Sequence, residues 1–165
     1  MVTLSAGVRA PEFTLPTVDG RQISLQELLK KGPIVLLFFK VGCPVCQYAF
    51  PYYERMYQAN RDAKVSVLGI SQDNVKNTEA FLKQFGVTFP VALDDPKNYI
   101  VSNAYGLTNV PTLFYIAANG EIEIASVSWS KADVEAVNAK LAENRRQPVP
   151  TLWQNGEEVR EYRPG

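Results

Sequence analysis

The sequence predicts an α/β domain: a central mixed sheet flanked by helices. Three observations carry that prediction. Ile34-Val-Leu-Leu-Phe-Phe39 and Lys64 to Ile70 are apolar runs of strand length, the pattern of strands covered on both faces. Segments of helical period separate them. Asn119-Gly120, set between Thr112 to Ala117 and Glu121 to Val127, has the turn chemistry of an antiparallel hairpin. Parallel strands joined through helices, followed by a hairpin, make a sheet of mixed direction.

The elements follow in order. Ala10 to Pro16 reads as extended, Asp19-Gly20 as a turn, and Arg21-Gln22-Ile23 as the returning arm of a short hairpin. Ser24-Leu25-Gln26-Glu27 has the form of a capping box, predicting a helix to about Lys31 that ends at Gly32-Pro33. The apolar run from Ile34 leads into "VGCPVCQYAF". Tyr48 to Ala59 fits a helix, and Val75 to Phe85 another with Asp73 or Asn74 as its cap. Val91 to Leu93 is a short strand and Asn98 to Tyr105 a helical segment. Ser130 caps a last helix to about Asn144. Residues 1–144 thus form one domain. Residues 145–165 form a charged, proline-rich tail that either docks through Trp153 and Tyr162 or stays partly mobile.

At 165 residues, 46% of them hydrophobic, the chain is sized for one well-buried core. Seventeen Lys and Arg balance seventeen Asp and Glu, so no overall field draws in nucleic acid or an anionic membrane. No apolar run approaches the length of a membrane span, and the first ten residues lack the pattern of a signal peptide, so a cytoplasmic location is expected. Histidine is absent. Chemistry therefore falls to sulfur, carboxylates, amines or hydroxyls.

Only two cysteines are present, Cys43 and Cys46. Cys43 follows a buried strand where the next helix begins, and free amides and the positive helix end stabilise a thiolate there. Cys46 lies one turn on, within reach of a mixed disulfide formed by Cys43. Pro44 suits the first helical position. Inert core packing is one alternative, although a strand-to-helix junction suits it poorly. A metal site is another, but two Cys without His require a second chain to complete it. No metal is expected, and no cofactor beyond the redox-active Cys43–Cys46 pair.

Cys43-Pro44-Val45-Cys46 after a buried strand, Val110-Pro111-Thr112 before another, and the Asn-Gly hairpin together resemble the thioredoxin-like superfamily. Pro51, eight residues after Cys43, matches the proline that bends the first long helix of thioredoxins. The stretch from Gly7 to Phe39 looks like the N-terminal hairpin extension of the redoxin branch, which includes peroxiredoxins and the thioredoxins of cytochrome maturation. "VLGISQDN" and the helix after it resemble that branch's helix-containing insertion. The resemblance spans about residues 6 to 143. It implies a cis bond before Pro111, with Val110 turned toward the cysteines to pair with an extended substrate.

Departures from the family pattern matter too. Val41-Gly42 replace the Trp that usually precedes the first Cys, and Leu37 replaces a buried acid. Lys40 stands where it can favour the Cys43 thiolate, or simply face solvent. Peroxiredoxins carry Pro-x-x-x-Thr/Ser-x-x-Cys and a distant Arg; with Cys46 as the reactive residue, these positions hold Phe39, Cys43 and Val110. The residues therefore favour a thiol–disulfide oxidoreductase. Cys43 and Cys46 are its catalytic pair, and Gly42, Pro44, Val45, Val110 and Pro111 form its substrate surface. Expected partners are protein or low-molecular-weight disulfides and a reductase donor, with the chain a monomer or weak dimer. A peroxiredoxin-like peroxidase and a non-catalytic or metal-sharing module are the alternatives.

Overall fold

The computed structural model describes residues 2–165. Near the N-terminus, β1 (Thr14–Pro16) and β2 (Gln22–Ser24) pair antiparallel. Helix α1 (Leu25–Leu29) follows, with Ser24 Oγ accepting from the Glu27 amide. Only that half of the capping box forms. The Glu27 carboxylate pairs with Lys30, and Glu12 accepts from the Gln26 amide. The helix ends at Leu29, short of the expected Lys31, because the Lys31 and Gly32 amides tighten into three-residue bonds to Leu28 and Leu29.

Strand β3 (Ile34–Phe39) has no solvent exposure at any of its six residues. Helix α2 (Pro44–Ala59) begins at Pro44, the expected first helical position, includes the expected span from Tyr48 to Ala59 and contains Pro51. Next come β4 (Ser66–Ser71), α3 (Val75–Phe85), β5 (Val91–Leu93) and α4 (Ile100–Ala104). Asn74 caps α3, and Gly86 ends it in the left-handed conformation (φ 66°) that suits glycine. The segment expected over 98–105 is helical only from Ile100, because Tyr99 takes a left-handed conformation and the Asp94 carboxylate accepts the Val101 and Ser102 amides.

Strands β6 (Thr112–Ile116) and β7 (Ile122–Val127) form the hairpin, and β8 (Trp129–Ser130) leads into α5 (Lys131–Asn144) with Ser130 as its cap. A last pair of residues, β9 (Tyr162–Arg163), joins β8 antiparallel. The main sheet has the order β5-β4-β3-β6-β7. β3, β4 and β5 run parallel, while β6 and β7 are antiparallel to their neighbours.

The alternation along β3 divides the core into two layers. Val35, Leu37 and Phe39 pack with residues of α2, α3 and α5. Ile34, Leu36 and Phe38 pack with the N-terminal segment, α1 and α4. The α/β architecture with an N-terminal hairpin and the extra β4–α3 unit is the one the sequence predicts.

The tail packs along the domain through Trp153, while Tyr162 is 58% exposed and joins only by its backbone pairing with Ser130. Leu152 joins the core, and Trp153 meets Tyr52 and Trp129 edge to face at 5.6 and 6.4 Å between centroids. Arg55 donates to both Glu157 oxygens at 2.6 and 2.7 Å. Trp129 Nε1 donates to the Arg160 carbonyl at 2.7 Å, and the Arg160 amide donates to the Tyr48 hydroxyl at 3.0 Å.

Candidate active site

The site is assembled at the carboxyl end of β3. Val41 and Gly42 turn the chain, and side chains satisfy both backbone groups of Val41. Asp73 Oδ2 accepts its amide at 2.8 Å, and Gln47 Nε2 donates to its carbonyl at 2.9 Å. Asp73 sits in the loop just after β4 and Gln47 in the first turn of α2, so both segments together set the position of Cys43. The sequence reading considered Asp73 as a helix cap and did not single out Gln47. Neither contact has a local signal, because each joins residues that only the fold brings together.

Cys43 is the N-cap of α2, with extended backbone (φ −86°, ψ 116°). Its Sγ accepts from the Cys46 amide at 3.2 Å, and Pro44 occupies the first turn, where a missing amide costs nothing. The Cys43 thiol donates to the Val110 carbonyl at 3.5 Å, and the Val110–Pro111 peptide bond is cis. Both cysteines are free thiols. Cys43 is half-buried, whereas Cys46 has no solvent exposure.

These environments divide the two sulfurs. The Cys43 thiol is lowered from 9.0 to about 6, first by its hydrogen bond with the Cys46 thiol, then by the Cys46 and Val45 amides and the charge of Arg163; partial burial opposes them. The Cys46 thiol is pushed far up, chiefly by burial, then by Cys43 and the negative charge of Asp73. At neutral pH one sulfur is an anion and the other a thiol.

The residues expected around the pair fall into two groups. Gly42 and Pro44 are exposed beside Cys43, and Val110 is half-buried. Val45 turns inward at 7% exposure, and Pro111 is buried beneath the surface, so neither presents a side chain to a substrate. Leu37 has no exposure and packs as core. Lys40 stacks over the Tyr99 ring at 5.2 Å, and the cation whose field reaches Cys43 is Arg163 from the tail. Lys40 and Tyr99 line a cleft of about 220 Å³ with Gln72, Ser102, Asn109 and Val110. Among the described residues no group of three or more Cys, Asp or Glu is arranged to hold a metal.

Of the aromatics on α2, Phe50 and Tyr53 are core residues. Tyr48 and Tyr52 instead form a seam with the tail. Tyr48 lies 5.4 Å from Tyr52 and 5.5 Å from Trp129 between ring centroids, and Arg163 lies 4.9 Å above it. Sequence reasoning placed Arg163 in a segment without a period. Nothing local marks it as a neighbour of Cys43.

Comparison with known proteins agrees with this geometry. Residues 6–125 match the AhpC/TSA family. The thiol-disulfide oxidoreductase ResA of Geobacillus thermodenitrificans is 32% identical over 134 residues, covering 80% of this chain and 75% of its own length. That of Bacillus subtilis (strain 168) is 32% identical over 121 residues, covering 73% and 66%. The thioredoxin domain of a thiol-disulfide oxidoreductase from Bacteroides vulgatus superposes with a TM-score of 0.74 at 21% identity, over 84% of this chain and 98% of that one, a likeness of fold. On the match over residues 6–125 and these relatives, the chain belongs to the AhpC/TSA family, beside its thiol–disulfide oxidoreductases.

Proposed function

We propose that this thiol–disulfide oxidoreductase uses Cys43 as the attacking thiolate and Cys46 as the resolving thiol, with disulfides of proteins or small molecules as substrates. The observation that carries this reading is the unequal placement of the two sulfurs: Cys43 is half-exposed at the N-cap of α2 and accepts the Cys46 amide, while Cys46 has no solvent exposure. The Cys43 thiolate attacks one sulfur of the substrate disulfide, the substrate S–S bond breaks, and the released thiolate takes a proton from water. Cys46 then loses its proton to solvent and attacks Cys43 Sγ. The mixed disulfide breaks, the second substrate thiol leaves, and a Cys43–Cys46 disulfide remains. Two electrons pass to the substrate, and a donor dithiol restores the pair by the reverse exchange. The pair is the only redox group that this cycle requires.

Peroxide is a poorer fit. A peroxidase built on Cys46 needs that sulfur open to solvent, and it has no exposure. Phe39, Cys43 and Val110 stand where activating groups would be.

Trapping tests the assignment. Cys46→Ser incubated with oxidised insulin is expected to accumulate a mixed disulfide on Cys43, whereas Cys43→Ser forms none. A trapped adduct on Cys46 would reverse the roles. Rapid formation of a Cys46 sulfenic acid with hydrogen peroxide would replace the reductase reading with a peroxidase one.

A further inference from the structure

We infer that Arg163, carried by the docked segment 160–165, is a positioning residue for thiol–disulfide exchange, holding a positive charge beside the Cys43 sulfur. The inference rests on the reading of Cys43 as the attacking thiolate. It concerns a part of the chain beyond residues 6–125, the span of the family match.

The placement of Arg163 is determined on three sides. Its backbone pairs with Trp129 in the β8–β9 ladder. Its guanidinium lies over the face of Tyr48, whose hydroxyl in turn accepts the Arg160 amide. Two residues on, Gly165 donates its amide to Ser128 Oγ at 2.9 Å and accepts from Asn109 Nδ2 at 2.9 Å. Gly165 lies so close to the Val110 carbonyl that a Cβ at this position would collide with it. That carbonyl is the acceptor of the Cys43 thiol. The segment thus spans from the Tyr48 face of α2 to the Val110 carbonyl, which lies 3.5 Å from Cys43 Sγ.

Few other charges compete for the role. Lys40, at the end of β3, is engaged with Tyr99. Asp73, from the β4–α3 loop, is tied to the Val41 amide, and its negative charge bears on Cys46. Cys46 is the titratable neighbour from α2, with Tyr53 behind it. The field of Arg163 favours the Cys43 thiolate, in agreement with the geometry. A thiolate also loses the S–H that binds Val110, so a nearby cation offsets the approach of anion and carbonyl.

The test is the pH profile of Cys43 alkylation by iodoacetamide in the reduced full chain. Arg163→Met keeps the side-chain stem over Tyr48 and removes the charge. It is expected to move the midpoint up by about half a unit and to slow labelling at pH 5 about threefold, the effect of one unit charge several ångströms away in a wet environment. Arg163→Lys should return most of the difference, which a purely packing role would not predict. The pair should also become more reducing in Arg163→Met, because the reduced form loses thiolate stabilisation. An Arg163→Met profile superimposable on wild type, while Cys46→Ser still traps insulin on Cys43, overturns the inference and leaves the proposed function standing. Failure of the trap itself removes the reading on which it rests. Should Arg163→Met not fold, salt tests the same charge on the wild-type protein. A midpoint that rises from low salt to about 1 M supports the inference, and one that does not move overturns it.

Discussion

At the scale of the residue, Cys43 and Cys46 share a helical turn and a hydrogen bond, yet solvent reaches only the first. The Cys43 thiol is lowered to about 6, so its thiolate predominates above that pH and is lost below it. Iodoacetamide labelling located by mass spectrometry is expected to rise with pH on Cys43 with a midpoint near 6, while Cys46 stays unlabelled in the folded protein throughout the neutral range. The pair and its junction were legible because spacing and the preceding apolar run are local facts. What anchors the junction was not. Val41 is held by Asp73 from the β4–α3 loop and by Gln47, which reads as an ordinary helical residue. Lys40, close in sequence, reads either as favouring the Cys43 thiolate or as facing solvent, and it is exposed, over the Tyr99 ring. Arg163, by contrast, reaches the Tyr48 face of α2 only through the return of the tail.

At the scale of the element, β3 does most to position the site, since its last residues lead directly into the turn before Cys43. Its six residues are wholly buried, and they alternate between the two core layers. Leu36 faces the layer of α1 and α4, away from α2. Leu36→Ala is therefore expected to lower stability by about 3 kcal/mol in urea unfolding while leaving the pH midpoint of Cys43 labelling in place. Elements with a continuous apolar run or a sustained helical pattern were the readable ones, such as β3, α3 and α5. Those that failed to match were shortened by single contacts. The Tyr99 conformation trims α4, and three-residue bonds trim α1. The two-residue strands β8 and β9 have no period to detect, because their pairing follows from where Trp129 is buried.

At the scale of the whole molecule, the tail links the helical layer of α2 to the site. It is held by an aromatic seam on α2, by the Arg55–Glu157 pair and by the contacts that end at Gly165. Glu157 is lowered from 4.5 to about 2, chiefly by the Arg55 hydrogen bonds. A carboxyl lowered on docking favours the docked form above its free value and loses that contribution as pH falls toward its docked value. Digestion with pepsin should accordingly cut residues 145–160 faster as pH drops from about 4.5 to about 2, and Glu157→Gln should flatten that dependence. Cleavage that ignores both would mean that the aromatic seam alone holds the tail.

That seam has an optical consequence. The chain has two tryptophans, Trp129 and Trp153, and both sit within it, 6.4 Å apart. Trp129 has no exposure, so its indole emits from an apolar setting for as long as residues 152–163 cover it. Peeling the tail away would wet both indoles together and shift the whole ultraviolet emission to longer wavelength. The position of one short segment beside a reactive sulfur can then be followed in real time by the protein's own fluorescence, without a label.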